Sequence, residues 1–268
     1  MSELIGSIWN LIILRPMTNI MIALSHFLGN NFGLSIIVLT LLINLITYPL
    51  TLRQMKSSKS MQDLQPKLAE LQRKYAKDPK LLSQEQMKLY RESGVNPAGC
   101  LLPMLLPMPI WIALYQTIRG VMATTPENFL GLSGQLYNWT AVFAAIPLNT
   151  RFLWLNLGTP DMFLAILVGL SMWLQQKMVA QQATTSQAAQ QTQMMQMMMP
   201  IVFGFIALSV PSGLALYWVV NSVIRIAMQY FFSGWGGLST LPKTLIALWP
   251  LSANSIWRRP AARPAGKK

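Results

Sequence analysis

Apolar residues along this chain come in long runs, which predicts helices of membrane-crossing length. A segment needs about 20 mostly apolar residues to cross a hydrocarbon core. Five stretches approach that length: 33–52, 98–118, 162–180, 194–210 and 214–232. Between the last two stand Pro211, Ser212 and Gly213, a turn short enough to force an antiparallel helical hairpin. The stretch 16–28 is apolar but short, with polar interruptions at Thr18, Asn19, Ser25 and His26. That pattern fits a helix lying in the interface better than one that spans.

Residues 53–97 read differently. Met61, Leu64, Leu68, Leu71 and Tyr75 recur every three or four positions and form one apolar stripe. Pro66 belongs in a first turn or at a kink. Asp78-Pro79 breaks the pattern, and Ser83 through Gln86 reads as a capping box opening a second helix that ends near Gly94. The expectation is a charged helical hairpin. The fold class that follows is an all-α polytopic membrane protein: five transmembrane helices, an interfacial helix within 1–32, the hairpin 53–97 and a loop 120–160. The spans occupy 33–232, and a basic tail covers 233–268.

Composition agrees. Hydrophobic residues make up 53% of the chain and charged residues 11%, where a soluble domain carries about 25% charged. The net charge of +13 is explained by position. Segment 53–97 holds ten Lys/Arg against five Asp/Glu, and the tail after Phe232 holds six Lys/Arg and no acid. Sixteen of the 21 basic residues thus lie in two segments that five spans place on one side. By the positive-inside rule that side is the cytoplasm, with the N-terminus outside and the C-terminus inside. Nucleic acid is not needed as a primary ligand.

Little catalytic chemistry is available. The chain has one cysteine, Cys100, and one histidine, His26, so an internal disulfide, a thiolate metal site and most histidine chemistry are excluded. No phosphate-binding loop or metalloprotease motif occurs. The expectation is a protein that is not an enzyme and uses no cofactor or metal. Glu3 stands where a cleaved signal peptide would have basic residues, and no small-residue cleavage site follows. The expected location is a bacterial plasma membrane.

Several motifs are familiar in combination. Gly33 to Ile37 followed by Tyr48-Pro49-Leu50-Thr51 resembles the first core span of the YidC/Oxa/Alb insertases. Leu64-Gln65-Pro66-Lys67 resembles the start of their cytoplasmic hairpin. Val95-Asn96-Pro97, Pro103 and the run from Pro109 to Tyr115 resemble the second span, and Pro211 to Trp218 resembles the turn into the fifth. The match is to the bacterial short form without a large outer domain.

The resemblance implies a five-helix core around a hydrophilic groove open to cytoplasm and lipid. Through it, short polar segments of nascent membrane proteins would pass while their apolar helices enter the bilayer. Partners implied are those client proteins, with the ribosome and the Sec translocon as further candidates and anionic lipids for the tail. Candidate groove residues are Thr40, Asn44 and Thr47 on one face of the first span, Asn221 and Arg225 on one face of the fifth, with Gln176 and Trp218. Each of the polar ones reads equally as an interhelical hydrogen-bonding residue, and Arg225 as one that reaches the headgroups. Most bacterial members carry an arginine where this chain has Asn44, so Arg225 is the candidate replacement from the facing helix. Pro107 stands where many members have Gln. Met194, Met195, Met197, Met198 and Met199 form either a greasy capture surface for client helices or ordinary lipid-facing packing. Competing functions are a passive assembly scaffold and a small-solute transporter. The transporter would call for internal repeats, and none relates these spans.

Overall fold

A computed structural model describes residues 2–94, 107–121, 132–145, 148–179 and 186–234. Several expectations lie outside these residues: the motif at 95–97, Cys100, Pro103, the Met195 side chain, residues 181–185 and the side chains of 186–193 in the Gln-rich stretch, and the tail from 235 onward.

The amino-terminal residues form a longer helix than the apolar pattern suggests. Helix α1 (Ser2–Trp9) runs through a π-helical segment (Asn10–Leu14) into α2 (Arg15–Phe27). The flanking Trp9 and Arg15 keep right-handed helical dihedrals, so the chain does not break there. From Gly6 to Phe27 it is long and apolar enough to cross a membrane. This departs from the short helix expected over 16–28. The polar residues that looked like interruptions are buried and bonded. Thr18 Oγ1 meets Thr117 Oγ1 at 3.1 Å, and Ser25 donates to the Ile22 carbonyl at 3.0 Å. Asn19, fully buried, donates to the Gln135 carbonyl and accepts from Tyr137 N–H at 2.6 Å. Satisfied polar groups no longer demand water.

Gly29 and Asn30 then turn the chain at φ 71° and 59°, a left-handed region that glycine and asparagine tolerate. Asn31 caps α3 (Phe32–Lys74) by accepting from Leu34 N–H at 3.1 Å. The 43 residues of α3 extend about 65 Å at helical rise, twice the roughly 30 Å hydrocarbon thickness. The expected first span and the first helix of the charged hairpin are therefore one rod, with Pro49 and Pro66 both inside it. Its far half buries Met61, Leu64 and Leu68 and packs against α4 (Pro79–Glu92). That helix opens five residues earlier than the Ser83 capping box suggested. Asp78 accepts from Lys80 and Leu81 N–H at 3.1 and 3.0 Å, with Pro79 at the first helical position.

Helix α5 (Pro107–Val121) and the short α6 (Thr140–Ala144) follow. A two-stranded antiparallel hairpin, β1 (Arg151–Phe152) with β2 (Leu155–Asn156), comes next, in register Arg151 to Asn156. Then α7 (Met162–Val179), α8 (Ser186–Ala207) and α9 (Ser212–Ser233) complete the described fold. Among the described residues four helices are long and apolar enough to span: 6–27, α3, α7 and the Ser212–Phe232 part of α9. In α8 the apolar run is the shorter Met197–Ala207.

The main core lies where the β-hairpin meets the starts of α3, α7 and α9 and the ends of α5 and α8. Phe32, Ile36, Ile118, Leu157, Val168 and Leu214 are completely buried there. A Cβ on Gly33 would collide with the Phe152 ring, and one on Gly213 would press on Ile36, Ile118 and the Leu157 carbonyl. The first amides of α9 are bonded across this junction: Ser212 N–H to Thr159 O at 2.9 Å and Gly213 N–H to Leu157 O at 3.0 Å. Ser212 Oγ donates to Asn156 O at 2.8 Å. Helix-start donors, normally left to water, are thereby satisfied by protein.

Candidate functional site: a polar seam leading to a cationic cavity

Helices α3 and α9 run side by side in the same direction. Ile36 faces Gly213 at the hairpin end, and further along Asn44 Nδ2 donates to Asn221 Oδ1 at 3.1 Å. Both pairs are 177 residues apart, so the two helices keep one register over two turns.

The α3 side of this contact is a column of polar residues: Thr40, Asn44, Thr47 and Thr51. Alternating steps of four and three keep them on one helical face. Their hydroxyls turn back onto their own helix, Thr40 to Ile36 O at 2.6 Å, Thr47 to Ile43 O at 2.8 Å and Thr51 to Thr47 O at 3.1 Å. Such bonds let a hydroxyl sit in a dry helix face without an orphaned donor. Asn44 also donates to Thr40 O at 2.9 Å, so both its amide hydrogens are used.

Beyond Asn221 the seam widens. Arg225, one turn further along α9, lines a cavity of about 200 Å³. Its α3 wall is Thr51, Gln54, Met55, Ser58 and Lys59. Gln175 and Val179 of α7 and Gln229 and Phe232 of α9 close the other sides. Two cations face this space, and no Asp or Glu lines it among the described residues. Gln54 Nε2 is buried with no hydrogen-bond partner among the described residues. Donors outnumber acceptors, which suits a carboxylate or another anion.

The expected site residues divide. Thr40, Asn44, Thr47, Asn221 and Arg225 fall along one continuous seam, with Arg225 one turn past the Asn44–Asn221 contact. Gln176 does not line the cavity; its neighbour Gln175 does, because α7 presents the adjacent face. Trp218 is buried in an aromatic cluster, 5.8 Å from Trp111 and 5.4 Å from Phe203, and ties α5, α8 and α9 together away from the cavity. Met194, Met197 and Met198 are exposed on α8, and Met199 is half-buried.

Sequence reasoning missed Thr51, Gln54, Ser58 and Lys59. The signal was present: the spacing 40, 44, 47 continues through 51, 54 and 58 on the same face. Beyond Thr51 the face leaves the apolar run, which ends at Leu52, so Gln54, Ser58 and Lys59 fall outside the predicted span. Gln229 likewise continues the Asn221, Arg225 step.

The 60Kd inner membrane protein family model matches residues 23–235. A membrane protein insertase YidC from Oceanobacillus iheyensis is 38% identical over 229 residues, covering 82% of this chain and 81% of that protein. One from Fusobacterium nucleatum is 40% identical over 203 residues, 75% of this chain and 85% of the relative. The membrane protein insertase MisCA of Bacillus subtilis is 35% identical over 233 residues, 84% and 79%. Among solved structures, the crystal structure of an active YidC insertase with its first transmembrane domain resolved superposes with a TM-score of 0.53 at 30% identity. It covers 76% of this chain and 42% of that longer one. With the helical architecture, the polar seam and a family match over most of its length, this chain belongs to the YidC/Oxa family of membrane protein insertases.

Proposed function

We propose that this protein inserts other proteins into the membrane, carrying a short polar segment of the client along the α3–α9 seam while the client's apolar helix enters lipid beside it. The observation that carries the reading is the contrast along that seam. One end is packed and hydrogen-bonded shut, and the other opens on a cavity holding Arg225 and Lys59 and lined by no acid among the described residues. A polar group crossing hydrocarbon unsatisfied costs several kcal/mol. Donors at the cavity offset that cost over part of the path, and burial of the client helix supplies the driving force. The names of the relatives, membrane protein insertases, support the same activity.

In this reading the five helices that cross the bilayer are α3, α5, α7, α8 and α9, and the helix over 6–27 lies at the outer interface. The cavity end faces the cytoplasm together with the basic hairpin of α3 and α4. The N-terminus lies outside and the C-terminus inside. Clients are nascent membrane proteins, and the ribosome, the Sec translocon and anionic lipids are partners for the hairpin and tail. Arg225 supplies the cation that Asn44 does not. Met194 and Met198, exposed on α8, receive varied apolar helices.

The test is insertion of a short single-span client into proteoliposomes holding only this purified protein, scored by protease protection. Protection well above empty liposomes, without nucleotide, is the expected result. No gain would replace autonomous insertion by a Sec-dependent or an assembly-scaffold role.

A further inference from the structure

A second concave surface lies away from the seam, between α7 and α8. Its walls are bulky: Ile166, Leu170 and Trp173 on α7, and Met197, Ile201 and Phe205 on α8. Its floor is thin because the two backbones approach closely. A Cβ on Gly204 would stand 3.6 Å from the Ala165 carbonyl, and one on Gly169 3.4 Å from that of Pro200. The result is an open apolar trough of about 580 Å³. Its length, from Met162 to Trp173, is about 17 Å at helical rise. An apolar trough of this kind holds hydrocarbon in preference to water.

The charges at its two ends differ. Asp161 precedes α7 at one end and caps it through Leu164 N–H at 2.7 Å. At the other end Lys177 continues the stripe of Ile166, Leu170 and Trp173, one turn beyond the tryptophan. Neither α7 nor α8 carries an acidic residue. We propose that this trough binds one acyl chain of an anionic phospholipid, whose headgroup phosphate is held by Lys177 with Trp173 at the headgroup boundary.

A lipid fits better than a partner helix. Helices associate in membranes through small residues that let backbones touch, or through polar side chains. Here the glycines are already consumed in the α7–α8 contact, and the walls offer flexible, bulky, apolar side chains. Those adapt to a chain and give a rigid helix no close approach. An interfacial tryptophan followed by a basic residue matches the order of a lipid's own boundary.

The experiment reconstitutes the full chain in nanodiscs containing phosphatidylglycerol with a photoactivatable diazirine in its acyl chain, and maps the label by peptide mass spectrometry. Label concentrated on Leu170 and Ile201, well above other lipid-facing positions of α3 and α9, is expected. Lys177→Gln should cut it about fivefold, the contribution of one basic residue near an anionic surface. A phosphatidylcholine carrying the same label should already show the lower level. Leu170→Trp, which fills the trough without touching the glycine floor, should displace the label. Even labelling around the protein would reduce the trough to ordinary lipid contact and overturn the proposal, as would labelling indifferent to Lys177 and headgroup charge. Disulfide capture of a second copy through Ile201→Cys, in a Cys100→Ala background, would assign the trough to self-association and also overturn it.

Discussion

The two ends of the α3–α9 pair are built on opposite principles. At the hairpin end, Phe32, Ile36, Leu157 and Leu214 are fully buried, glycines admit close contacts, and the first amides of α9 bond to loop carbonyls. At the other end, the same helices line a cavity with two cations and a buried amide that has no partner among the described residues. Interiors packed to crystal-like density tolerate little change, whereas a cavity lined by polar side chains can accept a guest. The difference teaches that stability and function are segregated along one pair of helices. The hairpin end holds the register, and the open end is free to bind.

This comparison can be broken at either end. The largest effect belongs to the packed one. Gly33→Val should drive a side chain into Phe152 and destabilise the protein by about 1–3 kcal/mol, read as a lower melting temperature in detergent. An unchanged melting temperature would show that the hairpin does not seal this end. At the open end, Arg225→Ala should leave melting intact and lower insertion of clients with acidic tails about tenfold, the low end of what a hydrogen bond to a charged group contributes. Adding Asn44→Arg should restore it, and failure of that rescue would sink the idea that Arg225 replaces a first-span cation. Between the two ends, Asn44→Ala and Asn221→Ala should each cost little and couple by about 0.6 kcal/mol in a double-mutant cycle, as interhelical hydrogen bonds in membranes do. Strict additivity would remove the bond from the account. The smallest effect is expected from Lys59→Gln, because Lys59 is exposed. Insertion of acidic clients should fall by no more than about half a kcal/mol equivalent, and less at high salt.

Much of the candidate site was legible because it lies on single helices. Thr40, Asn44 and Thr47 share a face by helix geometry alone, as do Asn221 and Arg225. What was lost was lost at boundaries. The apolar run of α3 ends near Leu52 while the helix runs on to Lys74, so Gln54, Ser58 and Lys59 were assigned to a separate hairpin. Ser83 through Gln86 has the spelling of a capping box, but Asp78-Pro79 caps first, and a helix already under way has no orphan amides left for Ser83 to accept. Thr18 and Asn19 looked like signs of an interface because their partners, Thr117, Gln135 and Tyr137, are about a hundred residues away.

The sequence by itself determined the helical class, most of the long apolar helices, the clustering of basic residues and the polar faces of α3 and α9, since each follows from local periodicity and composition. Tertiary structure alone decided which faces meet: Asn44 on Asn221, Gln175 rather than Gln176 at the cavity, Trp218 between Trp111 and Phe203, and Gly33 beneath Phe152. Periodicity specifies a helix face within a few turns, but partners separated by up to 177 residues are selected by how whole helices pack, and packing is a property of the assembled fold.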